Sequence, residues 1–356
     1  MVAFLAVSVL FIPDYSDGNP YQSNLATAMS MRVTYGDDSS RFPVCRAVLS
    51  GEVTVVHFHW LNLFFKGETR RDFLVSFGLF LLRLFVIRVS GVSVVWTVHN
   101  VRMHEPQYPR LERRFKRWFI TSETCDRLIV HCEAVSDVVI DELGLPPEVR
   151  DRIDVIPHGH YLDNYKNELD RAEARRSLEL PQSSTVFLFF GLIRRYKGID
   201  TLIDAFQKSS VSNGQLLIAG NPASEALESE LTAQSKGDDR IHCLFEFVPD
   251  DEIQRYMNAA DAVVLPYREI TTSGSAVLAM SFGNALVVPS LGCLPELLDE
   301  EGAVFFDPTD DRGLIAALEA AAECDLKEMG RHNENSVRQY SWENIATQTE
   351  RTYKKV

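Results

Sequence analysis

The sequence predicts an α/β protein built from two doubly wound parallel sheets in tandem. Short apolar runs recur along the chain, and helical patterns separate one run from the next. Such runs are typical of strands buried on both faces, and their alternation with helices indicates parallel sheets. At 356 residues the chain is too long for one compact core, and the alternation restarts near residue 186 after a polar stretch.

The elements of the first half follow from these runs. The apolar N-terminus is interpreted as a strand and not as a signal peptide, because no basic residues precede its apolar run. Turn formers after it lead into a helix over residues 21–31. Strands are expected at residues 2–12, 54–60, 92–98, 127–132 and 153–157, and a helix at 133–143.

The second half repeats this organisation after a polar linker at residues 162–172. Its strands are expected at residues 186–190, 215–219, 241–245, 262–265, 285–288 and 304–306. Helices are expected at 199–208, 223–236, 276–282, 311–323, 325–339 and 342–354, with one more that ends at 259. The strand, loop, helix and strand of residues 261–298 form the parallel α/β unit around which this half is organised.

Composition excludes some functions. A net charge of −14 argues against nucleic-acid binding, which needs a basic surface. The six cysteines show no zinc-binding spacing, so we expect a reduced, cytoplasmic protein and no metal site. The sequence also lacks the glycine-rich dinucleotide and Walker motifs, a D-x-D pair and the G-x-S-x-G elbow of hydrolases.

Residues 73–89 form a very apolar segment that Arg83 and Arg88 interrupt. The segment is short for a membrane span, and we interpret it as a helix with more apolar surface than such a domain needs. A core helix is the simpler interpretation. Peripheral membrane contact through this helix is the functional alternative.

Two groups of residues carry candidate chemistry. The loop 191–198 places Arg194, Arg195 and Lys197 between two glycines and before a helix, which suits a phosphate group. A solvated basic turn is the alternative. Histidines lie within or directly after three predicted strands of the first half, and ligands of doubly wound sheets bind at the carboxyl ends of strands. These histidines are His57, His59, His99, His158 and His160.

Several segments resemble, in their order along the chain, motifs of one enzyme family. They are DGNPYQSNLATAM (17–29), WTVHN (96–100), IPHGHY (156–161), GLIRRYKG (191–198), ITTSGSAVLAMSFGNALVV (270–288), LPELL (294–298) and YSWENIA (340–346). The family that they resemble is the GT-B glycosyltransferases, specifically the retaining family 4 that uses nucleotide sugars. The resemblance covers nearly the whole chain.

The resemblance implies two Rossmann-like domains that face each other across a cleft. Residues 1–165 would bind a glycan or lipid-linked acceptor, and residues 173–335 would bind a nucleoside diphosphate sugar. Residues 336–356 would pack back on the first domain. The reaction would transfer a hexose with retention, without metal or cofactor, in polysaccharide or glycolipid assembly.

The resemblance also implies roles for individual residues. The catalytic residues would be Lys197, Arg194 and His99. Lys197 and Arg194 would neutralise the leaving diphosphate, and His99 would lie near the C6 hydroxyl of the sugar. His158 and His160 would face the cleft. Donor-binding roles fall on Gly18, Asn19, Arg195, Glu269, Thr271, Thr272, Ser273, Gly274, Ser275 and Glu296.

Two alternatives stay open at this point. The positions of the family's two donor-loop glutamates hold Ile270 and Leu278, and the position of its first loop arginine holds Leu192. Because of these departures, a catalytically idle, nucleotide-sugar-binding partner subunit stays an alternative. A GT-B nucleotide-sugar epimerase is the other alternative, although no acid and base carboxylates for it are identified.

Overall fold

The computed structural model describes residues 7–16, 20–36, 43–65, 67, 69–102 and 107–356. The chain divides into two compact units, of which the first comprises Met1–Gly159 with Tyr340–Val356 and the second comprises His160–Gln339. Each unit contains a parallel six-stranded sheet, so the predicted doubly wound α/β class is confirmed.

The first unit alternates strands and helices. Its elements are β1 (Ser8–Ile12), α1 (Pro20–Ala28), β2 (Arg32–Tyr35), α2 (Pro43–Leu49), β3 (Val55–Phe58), α3 (Arg70–Val89), β4 (Ser93–Thr97), α4 (Pro109–Thr121), β5 (Arg127–Val130), α5 (Glu133–Leu143) and β6 (Ile153–Val155). The sheet order is β2-β1-β3-β4-β5-β6. Short 3-10 helices cover Leu61–Phe65 and Pro147–Arg152.

The second unit repeats the architecture. Its elements are α6 (Arg171–Ser177), β7 (Thr185–Phe190), α7 (Ile199–Lys208), β8 (Gly214–Ala219), α8 (Glu225–Ser235), β9 (Ile241–Leu244), α9 (Ile253–Ala259), β10 (Ala262–Val264), α10 (Gly274–Ser281), β11 (Ala285–Pro289), α11 (Leu294–Leu297), β12 (Ala303–Phe306), α12 (Gly313–Glu323) and α13 (Leu326–Val337). The sheet order is β12-β11-β10-β7-β8-β9. Helix α14 (Trp342–Tyr353) follows and belongs to the first unit.

The central strands are apolar because both faces of each sheet are covered by helices. Every residue of β1, β3, β10 and β11 is buried. In the first unit, Phe11 of β1 pairs with His57 of β3, which pairs in turn with Val95 of β4. The cores of both units therefore lie against the strands whose carboxyl ends carry the candidate residues.

Helix α3 contains the apolar segment that the sequence singled out. Thr69 caps it and accepts a hydrogen bond from the Asp72 backbone N–H, and the Asp72 side chain accepts one from the Thr69 backbone N–H. The predicted helix is confirmed and begins at Arg70. Among the described residues, no helix combines the length and apolarity needed to cross a bilayer.

Three elements of the first unit escaped the sequence analysis. Strand β2 is a four-residue edge strand without a fully buried position, and α2 is a seven-residue helix. Helix α4 is rich in arginine, and Phe115, Phe119 and Ile120 supply most of its buried apolar surface. Short or strongly charged elements carry little of the apolar periodicity on which sequence interpretation depends.

Candidate functional site

The sheet of the second unit changes winding direction between β7 and β10. The chain leaves β7 toward β8 on one side and leaves β10 toward β11 on the other. Ligands of doubly wound sheets bind outside the carboxyl ends of strands at such a switch point. The loops that follow these two strands, residues 191–198 and 265–273, are the loops in which the sequence predicted the phosphate and donor sites.

Lys197 and Ser275 come together at this switch point. A Cβ atom added to Gly191 would lie 3.8 Å from the Lys197 amine and 3.9 Å from the Ser275 hydroxyl. The loop after β7 thus brings its lysine to the N-terminal end of α10. Gly191, with φ of +116°, leaves open the space between these two polar groups.

The Lys197 amine lies in an aromatic setting. It is 5.7 Å from the ring centroids of both Phe189 and Tyr267. Burial and, to a lesser extent, the charge of Arg194 lower the pKa of Lys197 to about 8. No carboxylate within the described part of the chain forms an ion pair with Lys197. This cation is therefore available to an anionic ligand.

Tyr267 orients the N-terminal end of α10. Its hydroxyl is hydrogen-bonded with Ser275 and Ser273, and burial raises the pKa of Tyr267. Ser273 caps the helix by accepting a hydrogen bond of 3.1 Å from the Ala276 backbone N–H. The first N–H groups of a helix have no intrahelical acceptor and attract anions, so this end of α10 complements the lysine.

Glycines allow the neighbouring loops to approach each other. Gly198 has φ of +69°, and a Cβ atom there would lie 2.1 Å from the Pro266 carbonyl oxygen. Gly292 has φ of +54°, and its added Cβ would lie 2.5 Å from the Ile270 carbonyl oxygen. The Cys293 backbone N–H donates to Thr271 at 3.0 Å beside it. The predicted loops thus form one packed group in the second unit.

The remaining predicted donor residues lie around this group in different ways. Arg194 is anchored to backbone carbonyls, at 2.8 Å to its own neighbour Ile193. Arg195 forms an ion pair of 2.7 Å with Glu230 of α8. Glu269 and Glu296 are exposed, whereas Thr271, Thr272, Gly274 and Ser275 are half-buried. Arg195 is thus engaged with a carboxylate, unlike Lys197.

The two positions that hold glutamate in the family that the motifs resemble carry apolar side chains here, and neither side chain is fully exposed. Ile270 is half-buried in the loop, and Leu278 is buried on α10 with 8% of its surface exposed. Neither position therefore offers a carboxylate.

The first unit holds a cluster of buried histidines at the carboxyl ends of its strands. His99 forms hydrogen bonds of 3.4 Å with His59 and 3.3 Å with His131, and it stacks on Trp60 at 4.4 Å between ring centroids. Burial and the neighbouring imidazoles hold the pKa of His99 well below its usual value. His57 is engaged separately, at 2.6 Å to Tyr353 and 2.7 Å to Thr97.

His59, His99 and His131 form a series of hydrogen-bonded imidazoles, and the carbonyl oxygen at one end of this series determines the tautomer of each neutral ring. His131 Nδ1 lies 2.9 Å from the Ile156 carbonyl oxygen, which can only accept, so Nδ1 carries the proton. His131 Nε2 must then accept from His99 Nδ1, and His99 Nε2 must accept from His59 Nδ1. His59 Nε2 is left as an acceptor, and it is a buried atom without a hydrogen-bond partner.

His158 and His160 lie in different units by the division of the chain. His158 Nδ1 donates to the Gly159 carbonyl oxygen at 2.8 Å, and burial lowers the pKa of His158 to about 3. His160 Nδ1 accepts a long bond of 3.4 Å from the Leu162 N–H. Gly18 and Asn19 lie outside the described residues.

The sequence analysis missed Tyr267, His131 and Tyr21 as parts of these groups. Tyr21 packs edge-on against His99 and His131. His131 follows β5 much as His99 follows β4. That repeated position was the signal available for His131. Among the described residues, no group of three or more His, Cys, Asp or Glu side chains could hold a metal ion.

Two family models match the chain. They are Glycosyltransferase Family 4 over residues 40–164 and Glycosyl transferases group 1 over residues 184–323. The GDP-mannose:glycolipid 4-β-D-mannosyltransferase of Xanthomonas campestris pv. campestris is 29% identical over 298 residues, which cover 83% of this chain and 77% of that protein. A D-inositol 3-phosphate glycosyltransferase of Mycobacterium sp. (strain KMS) is 30% identical, and the match covers 69% of this chain and 53% of that protein.

Solved structures share the fold at low identity. Anabaena HepE, solved with UDP and glucose, superposes with a TM-score of 0.74 at 16% identity and covers 98% of this chain and 100% of its own. WaaG, a glycosyltransferase involved in lipopolysaccharide biosynthesis, gives a TM-score of 0.64 at 14% identity, with 96% and 98% of the chains covered. The resemblance drawn from the sequence motifs is thus confirmed, and the chain belongs to the GT-B glycosyltransferases of the family 4 and group 1 type.

Proposed function

We propose that the protein is a hexosyltransferase that moves a sugar from a nucleoside diphosphate sugar to a glycolipid acceptor. The donor would bind in the second unit, at the carboxyl ends of β7 and β10, and the acceptor would bind in the first unit. No cofactor or metal ion takes part in the proposed reaction. The observation that carries the proposal is the Lys197 ammonium at the N-terminal end of α10, engaged by no described carboxylate.

This arrangement suits a diphosphate that becomes a leaving group. When the bond from the anomeric carbon to the diphosphate oxygen breaks, negative charge accumulates on that oxygen. Lys197, the half-buried Arg194 and the backbone N–H groups of residues 272–275 would stabilise this charge. The acceptor oxygen then forms the new bond to the anomeric carbon, and the acceptor proton passes to the departing diphosphate.

Relatives suggest the substrates to test first. The name of the Xanthomonas relative specifies GDP-mannose and a glycolipid, and HepE was solved with UDP and glucose. We propose mannose from GDP-mannose as the transferred sugar and a lipid-linked glycan as the acceptor. An acceptor of this kind fits polysaccharide or glycolipid assembly at a membrane by a cytoplasmic enzyme, with contact through residues 73–89.

Retention of anomeric configuration is part of the proposal, and the stereochemistry of the product is its sharpest test. The name of the Xanthomonas relative specifies a β-linkage. From an α-configured donor, an α-linked product means retention. A β-linked product would mean inversion and would require a general base in the first unit, where the buried imidazoles are the candidates.

The donor site is tested by thermal unfolding with GDP, UDP, ADP and their sugars in the presence of EDTA. A nucleotide at about one hundred times its Kd stabilises its domain by about 2.7 kcal/mol, a rise of roughly 5–10 °C in Tm. We expect one nucleotide to give this rise. No rise with any of them would overturn the donor site. A rise with one nucleotide but no transfer of any sugar would favour the idle-subunit alternative.

Lys197→Met separates the role of the lysine from its packing, and Lys236→Met, at an exposed position, is the matched control. We expect kcat/KM to fall by about 100-fold to 1000-fold in the first variant and to stay unchanged in the second. Because the pKa of Lys197 is lowered to about 8, kcat/KM of the natural protein should decline as the pH rises through this value. Equal turnover in both variants would remove Lys197 from the mechanism.

A further inference from the structure

Helix α3 exposes one apolar face although it has another apolar face in the core. Phe73, Phe80, Leu84 and Ile87 are buried, with at most 2% of their surface exposed. The large apolar side chains on the exposed side have between 38% and 64% of their surface exposed. They are Leu74, Val75, Leu81, Leu82, Phe85 and Val89.

The exposed residues form a continuous stripe. Leu74, Leu81 and Phe85 lie at positions i, i+7 and i+11, with the exposed Gly78 at i+4 between them. Residues at these intervals share one face of a helix. A monomeric soluble domain rarely leaves such a stripe in water, so the face requires a partner.

Helix α4 lies beside α3 in the same layer and supplies positive charge. Phe77 and Phe80 of α3 contact Phe115 of α4, with ring centroids 5.6 and 5.4 Å apart. Phe115, Phe119 and Ile120 of α4 are buried. The outer face of α4 carries exposed residues, namely Arg110, Arg113, Arg114, Arg117 and Trp118.

The charge of this surface is opposite to that of the whole chain. Helices α3 and α4 contain nine basic and two acidic residues, whereas the formal net charge of the chain is −14. Arginine beside exposed leucine, phenylalanine and tryptophan is the composition of helices that lie in the interface of anionic membranes. Charge complementarity thus points to a negatively charged lipid surface.

We infer that the outer faces of α3 and α4 dock the first unit on an anionic phospholipid bilayer, with the α3 stripe in the interfacial region and the α4 arginines against phosphate head groups. This inference deepens the proposed function and rests on it for the glycolipid acceptor. A second copy of the chain is the competing occupant. A two-fold interface would place the same arginine-rich faces against each other, which like-charge repulsion opposes.

Vesicle co-sedimentation tests the docking. The full-length protein is mixed, without nucleotide, with vesicles of phosphatidylcholine alone or with added phosphatidylglycerol, at low and high salt. We expect binding that requires phosphatidylglycerol and weakens with salt. Failure to bind the anionic vesicles would overturn the inference. Protein that sediments without lipid as a salt-sensitive dimer would also overturn it, because a second copy would then occupy this surface.

Two pairs of substitutions distinguish the two parts of the surface. Leu81→Ser with Phe85→Ser removes apolar contact and should weaken vesicle binding about tenfold. Arg113→Gln with Arg114→Gln removes two charges and should weaken it roughly 20-fold at low salt, at about fivefold for each arginine. Phe247→Ser and Arg312→Gln, at exposed positions of the second unit, are the controls and should bind like the natural protein.

The outcome is separable from that of the donor site. Nucleotide-induced stabilisation should be unchanged in all of these variants, because none of them lies in the second unit's candidate site. Vesicle binding without nucleotide stabilisation would retain the docking surface and reject the proposed donor site. Nucleotide stabilisation without vesicle binding would retain the proposed donor site and reject the docking surface.

Discussion

Both ring nitrogens of His99 are hydrogen-bonded to other imidazoles, at 3.4 Å to His59 and 3.3 Å to His131. The direction of these bonds is set by the Ile156 carbonyl oxygen, which accepts from His131. A sugar hydroxyl can therefore reach a nitrogen of His99 only by displacing one of these bonds. His99, which resembles the family's catalytic histidine, is thus the middle member of a series of three hydrogen-bonded histidines.

From these hydrogen bonds we predict that His59, His99 and His131 are all neutral, with the proton on Nδ1. Long-range ¹H–¹⁵N correlation spectra of the protein labelled at histidine identify each tautomer directly. In His131→Phe, His99 loses the acceptor for its Nδ1 proton, so we expect the His99 and His59 signals to move toward the Nε2–H tautomer. His242, which bonds to Gln215 at 2.8 Å in the second unit, should not change. A proton on Nε2 of His99 in the natural protein would contradict the assignment.

At the scale of elements, the site of the second unit depends on loops that approach within contact distance of backbone atoms. Gly198 ends the phosphate loop against Pro266, and Gly220 after β8 lies against the Gly191 carbonyl oxygen, 1.9 Å from the position of an added Cβ. Such approaches require glycine for two reasons, the positive φ and the missing Cβ. They hold Lys197 beside α10.

Substitution of two glycines separates these two reasons. Gly198→Ala meets both a positive φ and a backbone oxygen at 2.1 Å, whereas Gly237→Ala has φ of +97° and open space around it. We expect Gly237→Ala to lower the free energy of unfolding by about 1 kcal/mol and Gly198→Ala by about 2–4 kcal/mol. Denaturant unfolding measures both. A Gly198→Ala loss no larger than that of Gly237→Ala would show that the loop moves away without cost.

At the scale of the whole molecule, the buried histidines make the two units differ in their response to acid. Burial lowers the pKa of His57 to about 3 and that of His131 to about 4. Their values in the unfolded chain are near 6.5, so below that pH the unfolded state binds protons that the folded state does not. Each such histidine then removes about 1.4 kcal/mol per pH unit from the stability of the first unit until its folded pKa is reached.

We therefore expect the unfolding temperature of the first unit to fall by more than that of the second as the pH falls from about 7 to about 5. All four tryptophans, at residues 60, 96, 118 and 342, belong to the first unit, so tryptophan fluorescence follows that unit alone. Calorimetry reports both units, and only the transition seen by fluorescence should move strongly. A fluorescence transition with the same Tm across this range would contradict the neutral, buried state of these histidines.

The sequence by itself determined the fold class and most elements of both sheets. Helices α5 and α7 have the predicted bounds, and α3 was predicted from its apolar run. The motifs also located the loop of Lys197 and identified the family. These properties are local, because apolar periodicity and glycine-bearing loops are written in neighbouring residues.

Only the tertiary structure decided which of the candidates lie together. Arg194, Arg195 and Lys197 are equivalent cations in the sequence, but Arg195 pairs with Glu230 while Lys197 lies beside Ser275, far away along the chain. The tautomers of the histidines and the outward face of α3 likewise depend on partners that distant segments supply. Periodicity shows that a helix has an apolar side, but packing decides how much of that side the core covers.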